Sequence, residues 1–204
     1  EMQKMIYIEN LRVNGIKDRE RRKCCFENAE MTENLEKCLK YVQCFDEMKA
    51  KNIGLCMWGQ CGNGKSFAAA CIANALMDKG IPALMTSFPA ILSDQNNTMD
   101  IAHQMREYDL VILDDLGAER QSQYALEKVF YIIDERYKSG KPLIVTTNQN
   151  LKDMKNAAES GEADYRRIYD RILAMCVPMT FTDRTRRQTE RTDKTQELKD
   201  IFVR

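Results

Sequence analysis

Gly59-Gln60-Cys61-Gly62-Asn63-Gly64-Lys65-Ser66 satisfies the pattern G-x-x-x-x-G-K-[ST] in full, and its flanks supply the context the pattern needs. Before it runs Gly54-Leu55-Cys56-Met57-Trp58, a short apolar stretch with the mark of a buried strand. After it, Ser66 to Lys79 is Ala-rich and helical, ending at Gly80 with Pro82 two residues beyond. Glycines let the backbone curl until successive N–H groups face a phosphate, with the helix N-terminus behind them. Lys65 then reaches the β and γ phosphates of a nucleoside triphosphate, and the Ser66 hydroxyl ligates magnesium. The cofactor-binding positions run from Gly59 through Phe67. Against a ligand-free glycine turn stands the low chance of the full pattern, roughly 1% of chains this long at average composition. Cys61 is either a tolerated spacer or a redox-sensitive thiol in the loop.

Outward from this loop, short apolar runs alternate with helical stretches. Thr32 is an N-cap for a helix striped by Leu35, Cys38, Leu39, Val42 and Phe45. Further strands are expected at Ala83–Met85, Leu110–Leu113, Leu143–Thr147 and Val177–Phe181. Residues 88 to 107 read as two helices around a polar loop at Gln95-Asn96-Asn97. Leu126, Val129, Phe130, Ile133 and Tyr137 stripe another helix that stops before Gly140 and Pro142, and residues 164 to 174 make a last one. Strands alternating with helices predict an α/β fold, a parallel sheet with helices on both faces. Trp58, inside the first strand, reads as core rather than as a DNA-stacking platform. Residues 1–31 are expected as a basic N-terminal segment or linker. Their charge run Lys17–Lys23 is either a solvated helix face or a contact for nucleic acid or a partner. The domain proper spans 32–187, and 188–204 is a charged tail.

Composition bounds the rest. The 204 residues, 44% hydrophobic, suffice for one large core. Because 31 basic residues balance 31 acidic ones, any footprint for nucleic acid must be local. Apolar stretches break within about ten residues, too short for a bilayer, and no signal-peptide pattern opens the chain. The first residue is Glu1, as in a trimmed fragment. Eight cysteines without a C-x-x-C pair argue against a zinc knuckle and for a reduced, cytoplasmic setting. The single histidine, His103, excludes a multi-His metal site and reads as a surface residue.

A phosphate loop alone does not separate kinases, GTPases and motor ATPases. The strand Leu110–Leu113 ends in Asp114-Asp115, which does: Asp114 is placed to hold magnesium through water, and Asp115 to polarise the attacking water. A helix cap or turn is the alternative for this pair. The usual second acid in such ATPases is Glu; Glu119 is either an ordinary surface residue or a substitute for Asp115 as base. The strand ending Thr146-Thr147 delivers Asn148, which can orient the water against the γ-phosphate, although Asn148-Gln149-Asn150 also reads as a turn. Across 165–194, eight basic residues face four acidic ones, a local excess of four charges. An arginine supplied to a γ-phosphate, in cis or from a neighbour, is worth about 10³–10⁵ in rate; a solvated helix face is the other reading.

Together, Gly59–Ser66, the run Leu113-Asp114-Asp115-Leu116-Gly117-Ala118-Glu119, Thr147-Asn148 and the Arg-rich end resemble the DnaC/DnaI-type helicase loaders. These are AAA+ ATPases close to DnaA-type initiators and IstB-type transposase helpers, and the resemblance covers roughly Phe26 to Arg187. It implies a five-stranded parallel AAA+ core in the order 5-1-4-3-2 without a C-terminal helical lid. It further implies ATP and Mg2+ as cofactors, with a replicative helicase of the DnaB type and single-stranded DNA as partners. Carried over by motif, Asn148 is similar to sensor 1, Arg171 to an arginine finger acting on a neighbour's nucleotide, and Arg186 to the sensor 2 arginine. Arg167 and Arg187 are the near alternatives. Loaders also carry an N-terminal helicase-binding domain, of which the chain has only a short basic stretch.

Three functions compete. One is an ATP-switched loader that self-associates through its ATP sites, and another a transposase helper acting on duplex DNA. The third is a nucleotide-gated adaptor with little hydrolysis. A small-molecule kinase would not need the Asn148 strand, and the absence of an N-K-x-D motif favours ATP over GTP.

Overall fold

The apolar runs pair into one all-parallel sheet in the order β2-β3-β4-β1-β5, which read from the other edge is 5-1-4-3-2. Its strands are β1 (Gly54–Gly59), β2 (Ala83–Ser87), β3 (Leu110–Leu116), β4 (Leu143–Thr147) and β5 (Cys176–Phe181). The computed structural model describes residues 2–94, 97–117, 123–160 and 163–182. Helices α1 (Met2–Gly15), α2 (Glu33–Gln43), α3 (Phe45–Ala50) and α4 (Lys65–Asp78) precede β2, and α5 (Phe88–Ser93) and α6 (Thr98–Arg106) separate it from β3. Helix α7 (Gln123–Lys138) joins β3 to β4, and α8 (Leu151–Ser160) with α9 (Ala163–Met175) joins β4 to β5. Among these, none is long and apolar enough to cross a membrane.

Parallel strands need crossovers, and the crossover helices cover both faces, so the strands are apolar on both sides. The pleat divides them: Met57, Ile112 and Ile144 pack in the layer under α2 and α4, while Cys56, Val111, Leu113, Leu143 and Val145 pack under α5, α6, α7 and α9. Helix α4 is buried almost all round, because Ala68, Ala69, Ala70 and Ala73 let it lie close between the sheet and its covering helices. That burial fixes the phosphate loop at its N-terminus.

In the first quarter of the chain, two segments differ from the sequence reading. The helix expected to run from Thr32 to Phe45 breaks at Cys44 (φ −100°, ψ 18°), and Phe45 starts a new helix, with its ring packed edge-on against Tyr41. The core also does not begin at Thr32. Helix α1 lies on it, Ile16 forms a lone parallel bridge to Met85 beside the edge strand, and Ile16 and Phe26 are buried in the α2/α4 layer. Ile16 is an isolated apolar residue in a charged stretch and Phe26 ends the short run Cys24-Cys25-Phe26, which gives a periodicity argument little to read. The expected lack of a helical lid, and the tail 188–204, fall outside the described residues.

At the sheet end opposite the phosphate loop, Arg136 is 2% exposed and donates to the carbonyls of Met105, Tyr108, Asp109 and Pro142 at 2.7–3.1 Å. Burial pushes its guanidinium down to about 10, so it stays charged at neutral pH. It ties the end of α6 to the starts of β3 and β4. Arg136→Met keeps the stem but orphans these acceptors, and is expected to cost about 3 kcal/mol, lowering the melting temperature by roughly 6–12 °C. Thermal and urea denaturation check this; an unchanged melting temperature would remove Arg136 from the framework.

Candidate nucleotide site

Strand β1 ends at Gly59, whose φ of 149° and tight fit admit no side chain: a Cβ there would lie 2.2 Å from the Phe181 carbonyl oxygen of β5. The loop then turns through Gly62 and Gly64, both at positive φ, and Gly64 (φ 86°) caps α4 in the left-handed region. A Cβ at Gly64 would meet nothing within 4 Å, so there the backbone angle, not space, selects glycine. Asn63, nearly buried, donates from Nδ2 to the Phe181 carbonyl at 2.9 Å and pins the loop to β5. Gln60 and Cys61 are exposed, Ser66 is half-buried in the first turn, and Phe67 packs on the α2/α4 layer.

Lys65 is 5% exposed. Its Nζ donates to the carbonyls of Gly59 and Gln60, both at 2.8 Å, and to Asn148 Oδ1 at 2.9 Å. One ammonium therefore joins the phosphate loop to Asn148 at the end of β4. Beyond it, Thr147 Oγ1 donates to the Leu116 carbonyl and accepts from Gln149 N, and Gln149 also meets the Tyr169 hydroxyl. These bonds hold the β3 and β4 tips together.

Strand β3 carries the acidic pair through a bulge: Leu113 pairs with Val145 but Leu116 with Thr147, so Asp114 and Asp115 together face Thr146. Asp115 adopts φ 61°, a region an Asp tolerates at functional sites. Asp114 is 4% exposed; its Oδ1 accepts from Thr146 Oγ1 at 2.6 Å and its Oδ2 from an Arg21 guanidinium nitrogen at 3.0 Å. The Thr146 hydroxyl also accepts from Asp115 N at 3.0 Å, and so orients both acids.

A divalent cation fits this arrangement, since the buried Asp114 carboxylate already draws a cationic group onto one oxygen. Among the described residues no cluster of three or more His, Cys, Asp or Glu makes a complete protein cage. A cation held here would need Ser66, phosphate and water to complete its shell, the arrangement usual for magnesium with a triphosphate.

A model of the IstB-like ATP binding protein family matches residues 19–194. The chain belongs to this family. The replicative helicase loader DnaC of Escherichia coli (strain K12) is 28% identical over 144 residues, 64% of this chain and 58% of that protein. The replicative helicase loader DnaI of Bacillus subtilis (strain 168) is 24% identical over 150 residues, 67% of this chain and 48% of that protein. The IstB-like chain thus spans about half the length of these two relatives. Its fold is that of a crystal structure of DnaI, with a TM-score of 0.68 over 83% of this chain and 93% of that one, at 23% identity. The sheet order and the helices on both faces are those of an AAA+ P-loop core.

Arg167 and Arg171 of the IstB-like chain make their contacts on α7, apart from this cluster. Arg171 on α9 donates from Nε to Asp134 Oδ1 at 3.1 Å, lies 3.5 Å from Asp170 and stacks over Tyr137 at 4.6 Å. Burial pushes the Asp134 carboxyl up, but hydrogen bonds from Lys138 and Arg171 outweigh it and hold Asp134 below its ordinary range. Arg167 lies over Phe130 at 5.8 Å. Arg186, Arg187 and Glu119 lie outside the described residues. The sequence reading missed two residues that touch Asp114. Thr146 carried a signal, a hydroxyl in an otherwise apolar strand; Arg21 carried none beyond its place in a charge run.

Proposed function

We propose that the chain binds ATP with magnesium at Gly59–Ser66, hydrolyses it, and serves as the ATPase module of a cytoplasmic DNA-replication protein that loads the replicative helicase onto single-stranded DNA. The observation that carries the reading is the Lys65 ammonium, which gathers the phosphate loop and Asn148 into one site beside Asp114. The names of the DnaC and DnaI relatives support the helicase as partner. Magnesium bound by Ser66 and Asp114 would neutralise charge on the β and γ phosphates. In this reading the triphosphate takes over Lys65 from the two loop carbonyls. Asp115 accepts the proton of the attacking water, which Asn148 orients. Arg171 of one copy serves the nucleotide of the next, so that assembly completes the site, and Arg186 reaches the γ-phosphate as sensor 2.

A second reading, an ATPase helper of a transposase, is favoured by the IstB-like family match itself. A pull-down from the native host with ATP present separates the two: a replicative helicase supports the first, a transposase the second. Single-strand binding is expected to fall with salt at a log–log slope of about −0.7 per phosphate contact. Salt-insensitive binding would remove DNA loading from the proposal.

A further inference from the structure

We infer that Arg21 is a further residue of the nucleotide site: a counter-ion, supplied by the N-terminal segment, that occupies the metal-binding oxygen of Asp114 and must leave it when magnesium and nucleotide bind. The inference rests on the proposed magnesium site at Asp114.

A carboxylate as buried as Asp114 is costly to leave without a positive partner. Its Oδ1 is taken by Thr146, and the group on Oδ2 is the Arg21 guanidinium at 3.0 Å. The contact is long-range, 93 residues apart in sequence, and it is built rather than incidental. Asn74 on α4, 3% exposed, donates from Nδ2 to the carbonyls of Arg21 and Cys24 at 2.8 and 2.9 Å. The Arg21 backbone is thereby docked on the same helix whose N-terminus is the phosphate loop. Upstream, Ile16 is anchored beside β2.

A guanidinium and a doubly charged cation compete for one carboxylate oxygen, because they repel each other when both are brought to it. The displaced side chain has somewhere to go. Asp18 Oδ2 is already 3.8 Å from Arg21 Nε, and a cavity of about 740 Å³ lined in part by Lys17, Asp18, Arg21, Asp114 and Asp115 opens beside the pair. Loss of the Asp114 contact removes the charged tether of the turn Arg21–Lys23 and leaves it held by the Asn74 bonds. Occupancy of the metal site is thus reported to the segment that precedes the core.

The test is a titration of a fluorescent ATP analogue against magnesium, with the whole chain, in wild type, Arg21→Gln, Arg21→Lys and Asp114→Asn. Hydrogen exchange of the Lys23 and Cys24 amides is followed in parallel. The expected result is a magnesium half-point lower by about fivefold in Arg21→Gln, near wild type in Arg21→Lys, which keeps the charge, and no magnesium dependence in Asp114→Asn. In wild type these amides should exchange faster once magnesium and analogue are added. In Arg21→Gln they should be fast beforehand. If Asp114→Asn loses its magnesium dependence while Arg21→Gln keeps the wild-type half-point, the counter-ion role is overturned and the metal site stands. If Asp114→Asn keeps wild-type magnesium dependence, the metal site itself falls and the inference with it.

Discussion

Replacing Lys65 by alanine is expected to raise the dissociation constant for ATP by about 10³ or more, below detection at ordinary concentrations. Among the described residues the Lys65 ammonium is the cation seated inside the phosphate loop, bonded to Gly59, Gln60 and Asn148. Charge-assisted hydrogen bonds to phosphate contribute about 1.5–3 kcal/mol each, and Lys65 is placed to make two of them. Alanine also frees the Asn148 amide, which is exposed and re-solvates, so the fold should hold. Calorimetric titration with ATP, beside a melting curve, reads both effects. Retained affinity in a folded variant would remove the phosphate loop from nucleotide binding altogether.

The fold and half of this site were legible because their determinants are local. The glycine pattern before Lys65 dictates a curled loop wherever it follows a strand, and the runs at Leu110–Leu113 and Leu143–Thr147 are too apolar to lie anywhere but between two layers of helices. Asn148 was legible by position, one residue past a strand neighbouring β1. The rest depends on packing between distant segments. Arg21 meets Asp114 because Asn74 and Ile16 seat the N-terminal segment, and no spacing in the sequence encodes that seat. The β3 bulge that puts both acids opposite Thr146 is likewise a matter of register between two strands, decided in the sheet. Helix α8 escaped notice although Leu151, Met154, Ala157 and Ala158 have helical spacing, because the polar run Asn148-Gln149-Asn150 before it reads as the start of a loop.

Alanine at Arg171 should leave ATP affinity unchanged and lower turnover by about 10³. Its contacts, Asp134 and Tyr137, lie in the last two turns of α7, which leads through Gly140 into the start of β4. The phosphate loop is at the far end of that strand, five residues or roughly 17 Å away. In this position Arg171 cannot serve the nucleotide of its own chain, and it is half-exposed on a helix face open to a neighbour. Its ion pair and ring contact are surface interactions of about 1 kcal/mol or less, so the variant should fold normally. The decisive measurement mixes two inactive variants. Lys65→Ala cannot bind nucleotide but keeps Arg171; Arg171→Ala binds nucleotide but offers no arginine. If the arginine acts between copies, the mixture recovers activity at interfaces where a Lys65→Ala copy presents Arg171 to an Arg171→Ala site. A mixture as inactive as its parts would exclude action in trans. Wild-type turnover by Arg171→Ala alone at high protein concentration would exclude any catalytic part for Arg171, and Arg167, one turn nearer the β4 tip, would be next to test.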